Sequence, residues 1–168
     1  TSDRRTLAVM RRIATIGLVL SGALLAAAAG SAATKPVVPR TAQLRILRAT
    51  PRLAYVPTRM AAGFHYVGWQ KSPSNMLITF DNKAGWEIRF IALRQTGPCR
   101  AGMEKSFQLD GNKVYWSHTG AEQMAWRCVT SPSGRQVRLV ASSPQPPTKF
   151  ADVGLGRVAA SGKRISAS

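Results

Sequence analysis

Two cysteines are the residues of this chain whose type and placement most directly predict a chemical bond. Cys99 and Cys128 are the only cysteines in the sequence, and two cysteines in an oxidising compartment most simply form one disulfide. The bridge would close a loop of about thirty residues and stabilise the fold by ~3 to 4 kcal/mol in the chain-entropy model. The pair lacks the Cys-x-x-Cys spacing that lowers a thiol pKa for redox work. We therefore predict a structural disulfide between them.

Acid-base chemistry has few candidates. His65 and His118 are the only histidines, and each lies in a predicted strand, where half-exposed histidines without a catalytic role are common. Asp81 and Asp110 occupy turn positions that aspartate fills for backbone reasons, and no paired carboxylates or nucleophile motif accompany them. The sequence therefore predicts no catalytic residues, no metal site and no enzyme. The alternative is a secreted hydrolase in which His65 or His118 lies beside an acid in a cleft.

One short segment has the spacing of a dinucleotide-binding loop, Gly154-Leu-Gly156-Arg-Val-Ala159. That loop needs a preceding strand-to-helix turn and an acidic residue about twenty positions later. Only nine residues follow Ala159. The match is accidental on this argument, and no cofactor is predicted.

The amino-terminal segment predicts export from the cytoplasm. Arg11 and Arg12 precede an uncharged stretch over residues 13–29, an arrangement typical of a signal peptide. Ser31 and Ala33 then occupy the two small-residue positions that a signal peptidase requires, which predicts cleavage between Ala33 and Thr34. A site after Ala29 is the second choice.

An uncleaved anchor is the alternative interpretation of the same stretch. No charge lies between Arg12 and Lys35, but a spanning helix needs about 20 predominantly apolar residues. Thr15, Gly17 and Ser21 dilute the stretch, which favours cleavage. The predicted location is therefore secreted or in the cell envelope, and the alternative is a single-pass membrane protein that relays an external signal inward.

The charge of the exported part predicts attraction to anionic partners. The whole chain carries 24 Lys and Arg against 7 Asp and Glu, for a net charge of +17, and the part after residue 33 keeps 20 against 6, or +14. Anionic envelope polymers and lipid headgroups attract such a domain. The basic residues are scattered, which argues against a nucleic-acid partner. The densest group consists of arginines within twenty residues of one another: Arg40, Arg45, Arg48, Arg52 and Arg59.

The elements that position these residues are mainly predicted strands. Residues 75–80 and 86–93 flank a turn rich in Asp, Asn and Gly, which predicts a hairpin. Residues 105–109, 113–118 and 123–129 predict a meander, and Val137, Leu139 and Ala141 alternate with polar neighbours in a further strand. Residues 64–69 predict one more strand. Because Met124, Trp126 and Cys128 share one face, we expect Cys128 to point toward the core and to meet Cys99 from the 96–102 loop.

Two helices complete the prediction. Residues 42–49 favour a short helix within a 34–50 linker, and residues 148–160 favour a helix that Thr148 begins. The fold class is therefore α+β: a curved antiparallel β-meander sheet with a C-terminal helix packed on one face. The expected organisation is a signal peptide or anchor over 1–33, a single sheet domain over 51–161 and a disordered tail over 162–168.

The region from residue 50 to residue 161 resembles a bacterial extracytoplasmic domain-of-unknown-function family, found in anti-sigma-like and envelope lipoprotein-like proteins. The segment Tyr55-Val-Pro-Thr-Arg-Met-Ala-Ala-Gly-Phe64 is similar to the family's opening Leu-Pro-x-x-Leu-Pro-x-Gly-Tyr/Phe motif. Leu109-Asp-Gly-Asn-Lys-Val-Tyr115 resembles its central hairpin, and Met124-Ala-Trp126 its Leu-x-Trp strand. The resemblance implies a curved antiparallel sheet with a helix on one side and supplies no catalytic residues.

These observations favour an exported, non-catalytic envelope module that binds a lipid, a peptide or a partner protein, with a sensory role as one form of it. An uncovered apolar face with basic residues at its rim would identify such a module. A basic, wall-associated structural protein is the alternative, and it predicts a filled core. The ligand and the oligomeric state are left open.

Overall fold

A computed structural model describes residues 35–144 and 152–167 of the chain. Residues 34–168 form one compact unit, and the predicted cleavage site at Ala33 and Thr34 lies outside the described residues. In chain order the elements are α1 (Arg40–Ala49), β1 (Tyr55–Pro57), β2 (His65–Lys71), β3 (Asn75–Asp81), β4 (Glu87–Arg94), β5 (Lys105–Leu109), β6 (Asn112–Thr119), β7 (Glu122–Thr130), β8 (Gln136–Ser143), α2 (Asp152–Ala160) and β9 (Gly162–Arg164).

Seven of the strands form one antiparallel sheet in the order β2-β3-β4-β8-β7-β6-β5. The predicted hairpins are confirmed, and each follows from its turn. Asp110 and Gly111 connect β5 to β6 with φ of 49° and 74°, the left-handed backbone of a two-residue hairpin turn that Asp-Gly favours. The α+β fold class with a C-terminal helix is likewise as predicted, and the predicted start of that helix at Thr148 lies outside the described residues.

One face of the sheet is covered. Alternate residues of the central strands, among them Ile78, Phe90 and Leu139, are fully buried there and belong to one core cluster with Leu155 and Ala159 of α2. Period-two alternation places these side chains on the same side of the sheet. Burying this face against helices is what makes the sheet stable as a domain.

The short helix predicted within the 34–50 linker is present as α1, and it packs within the domain. Ala42 and Ile46, four residues apart on one helical face, are 8% and 0% exposed, while Arg45 and Arg48 are exposed. This amphipathic pattern holds the helix against the core with its basic side outward. Among the described residues, no helix is long and apolar enough to cross a membrane.

The carboxyl-terminal segment differs from the prediction of a disordered tail over 162–168. Gly162–Arg164 form β9, which pairs antiparallel with β1, and Ile165 is 5% exposed and belongs to the core. Its backbone N–H donates to Ala54 O at 2.8 Å. The prediction is therefore wrong for residues 162–165, because their pairing partner lies about a hundred positions earlier in the chain.

Helix α2 contains the glycines of the apparent dinucleotide motif. Gly154 and Gly156 lie inside the helix and not in a strand-to-helix turn. A Cβ at Gly156 would come within 2.7 Å of the Phe107 ring and 2.8 Å of Leu109. Gly156 therefore serves the close approach of α2 to β5.

Candidate functional site

A cleft opens at one end of the sheet, where four separate segments meet. The end of α1 and the loop that follows it form the first wall, and the β2–β3 turn forms the second. The end of β4 is the third wall, and the β7–β8 turn with the start of β8 is the fourth. The cleft measures about 520 Å³, within the range of small-molecule sites. We call it the strand-end cleft.

Four cationic side chains surround the strand-end cleft: Arg52, Lys71, Arg94 and Arg135. No carboxylate contributes to its lining. The ion pairs seen in the described parts of the chain lie elsewhere, between Arg59 and Asp110, Arg89 and Glu87, and His118 and Glu104. The cleft therefore has a positive potential that its own walls leave unbalanced, which favours an anionic ligand.

The floor of the strand-end cleft is apolar. We call Leu53 and Val137 its floor, because they are the less exposed large apolar side chains of the lining; Ala49 and the exposed Pro51 and Pro73 also line the cleft. Val137 is 3% exposed and belongs to the core, so this floor is an opening onto the edge of the hydrophobic core. A ligand that fills it would remove apolar surface from water.

A basic stripe runs from this cleft along α1. Arg45 and Arg48 are three residues apart, so they lie on one helical face, and Arg52 follows the helix at the strand-end cleft. At the start of α1, a second hollow of about 320 Å³ is lined in part by Lys35, Lys163 and Arg164. The α1 stripe, as we call Arg45, Arg48 and Arg52, thus connects two basic clefts over the ~15 Å length of the helix.

Sequence reasoning grouped Arg45, Arg48 and Arg52 but missed Lys71, Arg94 and Arg135. Each of the missed residues stands at a strand end, beside a turn or loop. In an antiparallel sheet the carboxyl end of one strand lies beside the amino end of its neighbour. Basic residues at several of these neighbouring strand ends therefore indicate a shared site. Using that signal requires the strand order, in which β8 lies beside β4.

The predicted disulfide is present. Cys99 and Cys128 are bonded with a Cα–Cα distance of 6.0 Å, and the bridge ties the loop after β4 to β7. Its face differs from the one expected. Arg127 reaches Ala159 O of α2 and Val129 packs on the core, so Cys128, between them, points to the opposite face.

That opposite face lacks a helix among the described elements, yet it offers little exposed apolar surface. Trp126 is 2% exposed and Val140 7%, and Trp126 Nε1 donates to Cys99 O at 2.7 Å under the bridged loop. In the described parts of the chain the exposed large apolar side chains are Val67 and Met103, at 55% and 41%. The strand-end cleft is therefore the better candidate for a binding site.

The two histidines are far apart in the sheet. His65 lies on β2 and His118 on β6, and four strands stand between them. His118 Nδ1 lies 2.9 Å from Glu104 Oε2, and its backbone N–H donates to Glu104 Oε1 at 2.8 Å. That backbone hydrogen bond is the main reason that the pKa of Glu104 lies below its ordinary value. The side chains of His65 and His118 are both exposed, and neither histidine lines either cleft.

Metal ligands are not clustered in the parts of the chain that the structure describes: no group of three His, Cys, Asp or Glu side chains comes together there. Comparison with known proteins adds no assignment. No protein-family model matches the sequence, and no match was found among curated proteins or solved structures.

Proposed function

We propose that this chain is an exported, non-catalytic module of the cell envelope that binds anionic membrane surfaces through the α1 stripe. The observation that carries the proposal is the outward basic face of α1, whose inner face is fixed to the core by Ala42 and Ile46. Membership of the extracytoplasmic family that the sequence resembles is part of the same proposal.

The geometry of α1 suits a flat anionic surface. Arg45 and Arg48 project from a rigid helix and not from a flexible tail, and two basic clefts extend the positive surface beyond both helix ends. Each Lys or Arg near an anionic membrane contributes about 1 kcal/mol of attraction, which falls off within a Debye length. A few such residues on one face therefore suffice for reversible, salt-sensitive association.

Export is tested by the intact mass of the chain recovered from its native envelope without reduction. We expect a mass that begins at Thr34 and is two hydrogens lighter than the reduced chain, because the disulfide forms after translocation. A mass that retains residues 13–29 would contradict cleavage. It would favour the single-pass anchored form, in which the domain serves a sensory role.

Membrane association is tested with the chain beginning at Thr34, whose described core comes from its own residues. We expect co-sedimentation with vesicles containing about one third phosphatidylglycerol, and loss of binding in neutral phosphatidylcholine vesicles or in ~0.5 M salt. Arg45→Gln together with Arg48→Gln should weaken binding about thirtyfold, since two contacts of about 1 kcal/mol each are lost.

The matched control removes the same charge elsewhere. Lys83→Gln with Arg100→Gln changes two exposed residues away from both clefts and should weaken binding less than threefold. Equal losses in the two double variants would instead assign binding to overall charge, as in a wall-associated structural protein. Tighter binding to a soluble polyanion than to vesicles would replace the membrane with an anionic polymer as the partner.

A further inference from the structure

We propose that the strand-end cleft binds one molecule of an apolar-chain phosphate monoester, with the phosphate among the cations and the hydrocarbon on the apolar floor. This site shares Arg52 with the α1 stripe but differs from it in two ways: it holds a single ligand, and it depends on Lys71, Arg94 and Arg135 at the strand ends of the sheet. Its two features, charge and floor, each restrict the chemistry of the ligand.

Charge selects the head group. The four cations of the cleft come from four segments that are distant in sequence: Arg52, Lys71, Arg94 and Arg135. None of them pairs with a carboxylate among the described residues. A monocarboxylate would balance one of these charges. A phosphate monoester carries nearly two negative charges and three acceptor oxygens, and arginine forks bind phosphate oxygens in bidentate geometry.

Hydroxyl groups in the lining of the cleft add donors for phosphate oxygens. Ser72 Oγ accepts the backbone N–H groups of Asn75 at 3.2 Å and of Ser74 at 3.4 Å, so its own proton is free to be donated outward. The hydroxyls of Ser131 and Ser133 lie 3.0 Å apart, so one of the two protons is available. Thr50 differs, because its hydroxyl donates to Ile46 O at 3.0 Å.

The floor selects the rest of the ligand. Leu53 and Val137 form its base, and burying each CH₂ group of a ligand against such a surface contributes about 0.8 kcal/mol. A free inorganic phosphate would leave this surface in water. The combination of a multiply charged rim and an apolar base therefore fits a phosphate attached to a hydrocarbon chain.

The cleft is built before any ligand arrives. The backbone N–H of Arg94 donates to Ser74 O at 3.2 Å, and that of Gln95 donates to Gln136 O at 3.1 Å. The β7–β8 turn is closed by the Ser131 N–H, which donates to Arg135 O at 2.8 Å. Gly134 in this turn has the left-handed backbone conformation, with φ of 76°. Three of the four walls are thus tied together, which lowers the entropic cost of binding.

Titration calorimetry with octyl phosphate tests the proposal on the chain beginning at Thr34. We expect octyl phosphate to bind at least tenfold more tightly than inorganic phosphate, which lacks the chain, and at least tenfold more tightly than octanoate, which lacks the second charge. Arg94→Gln with Arg135→Gln should weaken octyl phosphate binding at least thirtyfold. Chemical shifts should change at residues 49–53, 71–73 and 131–137.

The vesicle variants serve as controls and keep the two proposals distinct. Arg45→Gln with Arg48→Gln, and Lys83→Gln with Arg100→Gln, should each change octyl phosphate affinity less than threefold. Equal affinity for octyl phosphate and inorganic phosphate would overturn the role of the floor. Equal affinity for octyl phosphate and octanoate would overturn the selection of phosphate, and affinity unchanged by Arg94→Gln with Arg135→Gln would place the ligand elsewhere.

Discussion

Replacing Cys99 and Cys128 with alanine is expected to lower the free energy of unfolding of the domain by about 3.5 kcal/mol. The two cysteines are 29 positions apart, and closing a loop of that length removes this much chain entropy from the unfolded state. At the size of this domain the melting temperature should fall by about 10 °C.

The native contacts of the bridge point in the same direction. The loop that carries Cys99 lies over Trp126, whose indole N–H donates to Cys99 O at 2.7 Å, and the Arg138 guanidinium donates to the same oxygen at 3.5 Å. Without the bridge, hydrogen bonds such as these are the weaker contacts that remain between the loop and the sheet. Trp126, which is 2% exposed, should then become accessible to solvent.

Urea denaturation of the oxidised chain and of the double alanine variant measures the free-energy difference. The tryptophan emission spectrum under native conditions reports whether Trp126 is uncovered. The reduced and alkylated wild-type chain provides the matched comparison, because it lacks the disulfide bond but keeps both cysteine residues. If the variant loses less than about 1 kcal/mol of its free energy of unfolding, the loop is already held in place without the disulfide.

The strands and hairpins of the sheet could be predicted from sequence because the patterns that indicate them lie within short stretches of the chain. Turns such as Asp110-Gly111 and period-two alternation in Val137, Leu139 and Ala141 each predict one hairpin or strand without reference to the rest of the chain. The shared face of Trp126 and Cys128 follows from the same rule. Which face the helix covers does not, because β7 carries apolar residues on both sides.

The strand-end cleft could not be predicted for a related reason. Arg94 and Arg135 are about forty positions apart and meet because β8 lies beside β4, a pairing that crosses the whole β5–β7 meander. No turn or short motif records that neighbour relation. The same holds for β9, whose partner is β1. Local patterns thus predict elements, and the order of the strands decides which charges share a site.

Replacing Arg127 with methionine is expected to cost about 3 kcal/mol of stability, although no carboxylate among the described residues pairs with Arg127. Its Nη2 donates to Gly162 O at 2.6 Å, its Nε to Ala159 O at 3.3 Å, and its Nη1 to Asn112 Oδ1. One guanidinium on β7 therefore joins the end of α2, the start of β9 and the start of β6. Methionine fills similar space but leaves these acceptors without their donor, at about 1 to 3 kcal/mol for each one that stays buried.

The cost should be concentrated where Arg127 acts. Partial burial lowers the pKa of Arg127, yet the side chain remains a cation near the last carbonyls of α2, where positive charge is favourable. Hydrogen exchange should therefore accelerate first in α2 and β9 of Arg127→Met, and Arg127→Lys should recover part of the loss. Arg157→Met, on the exposed side of α2, is the matched control and should stay within about 0.5 kcal/mol of wild type. If Arg127→Met is equally mild, packing of Leu155 and Ala159 against the sheet holds α2 without this anchor.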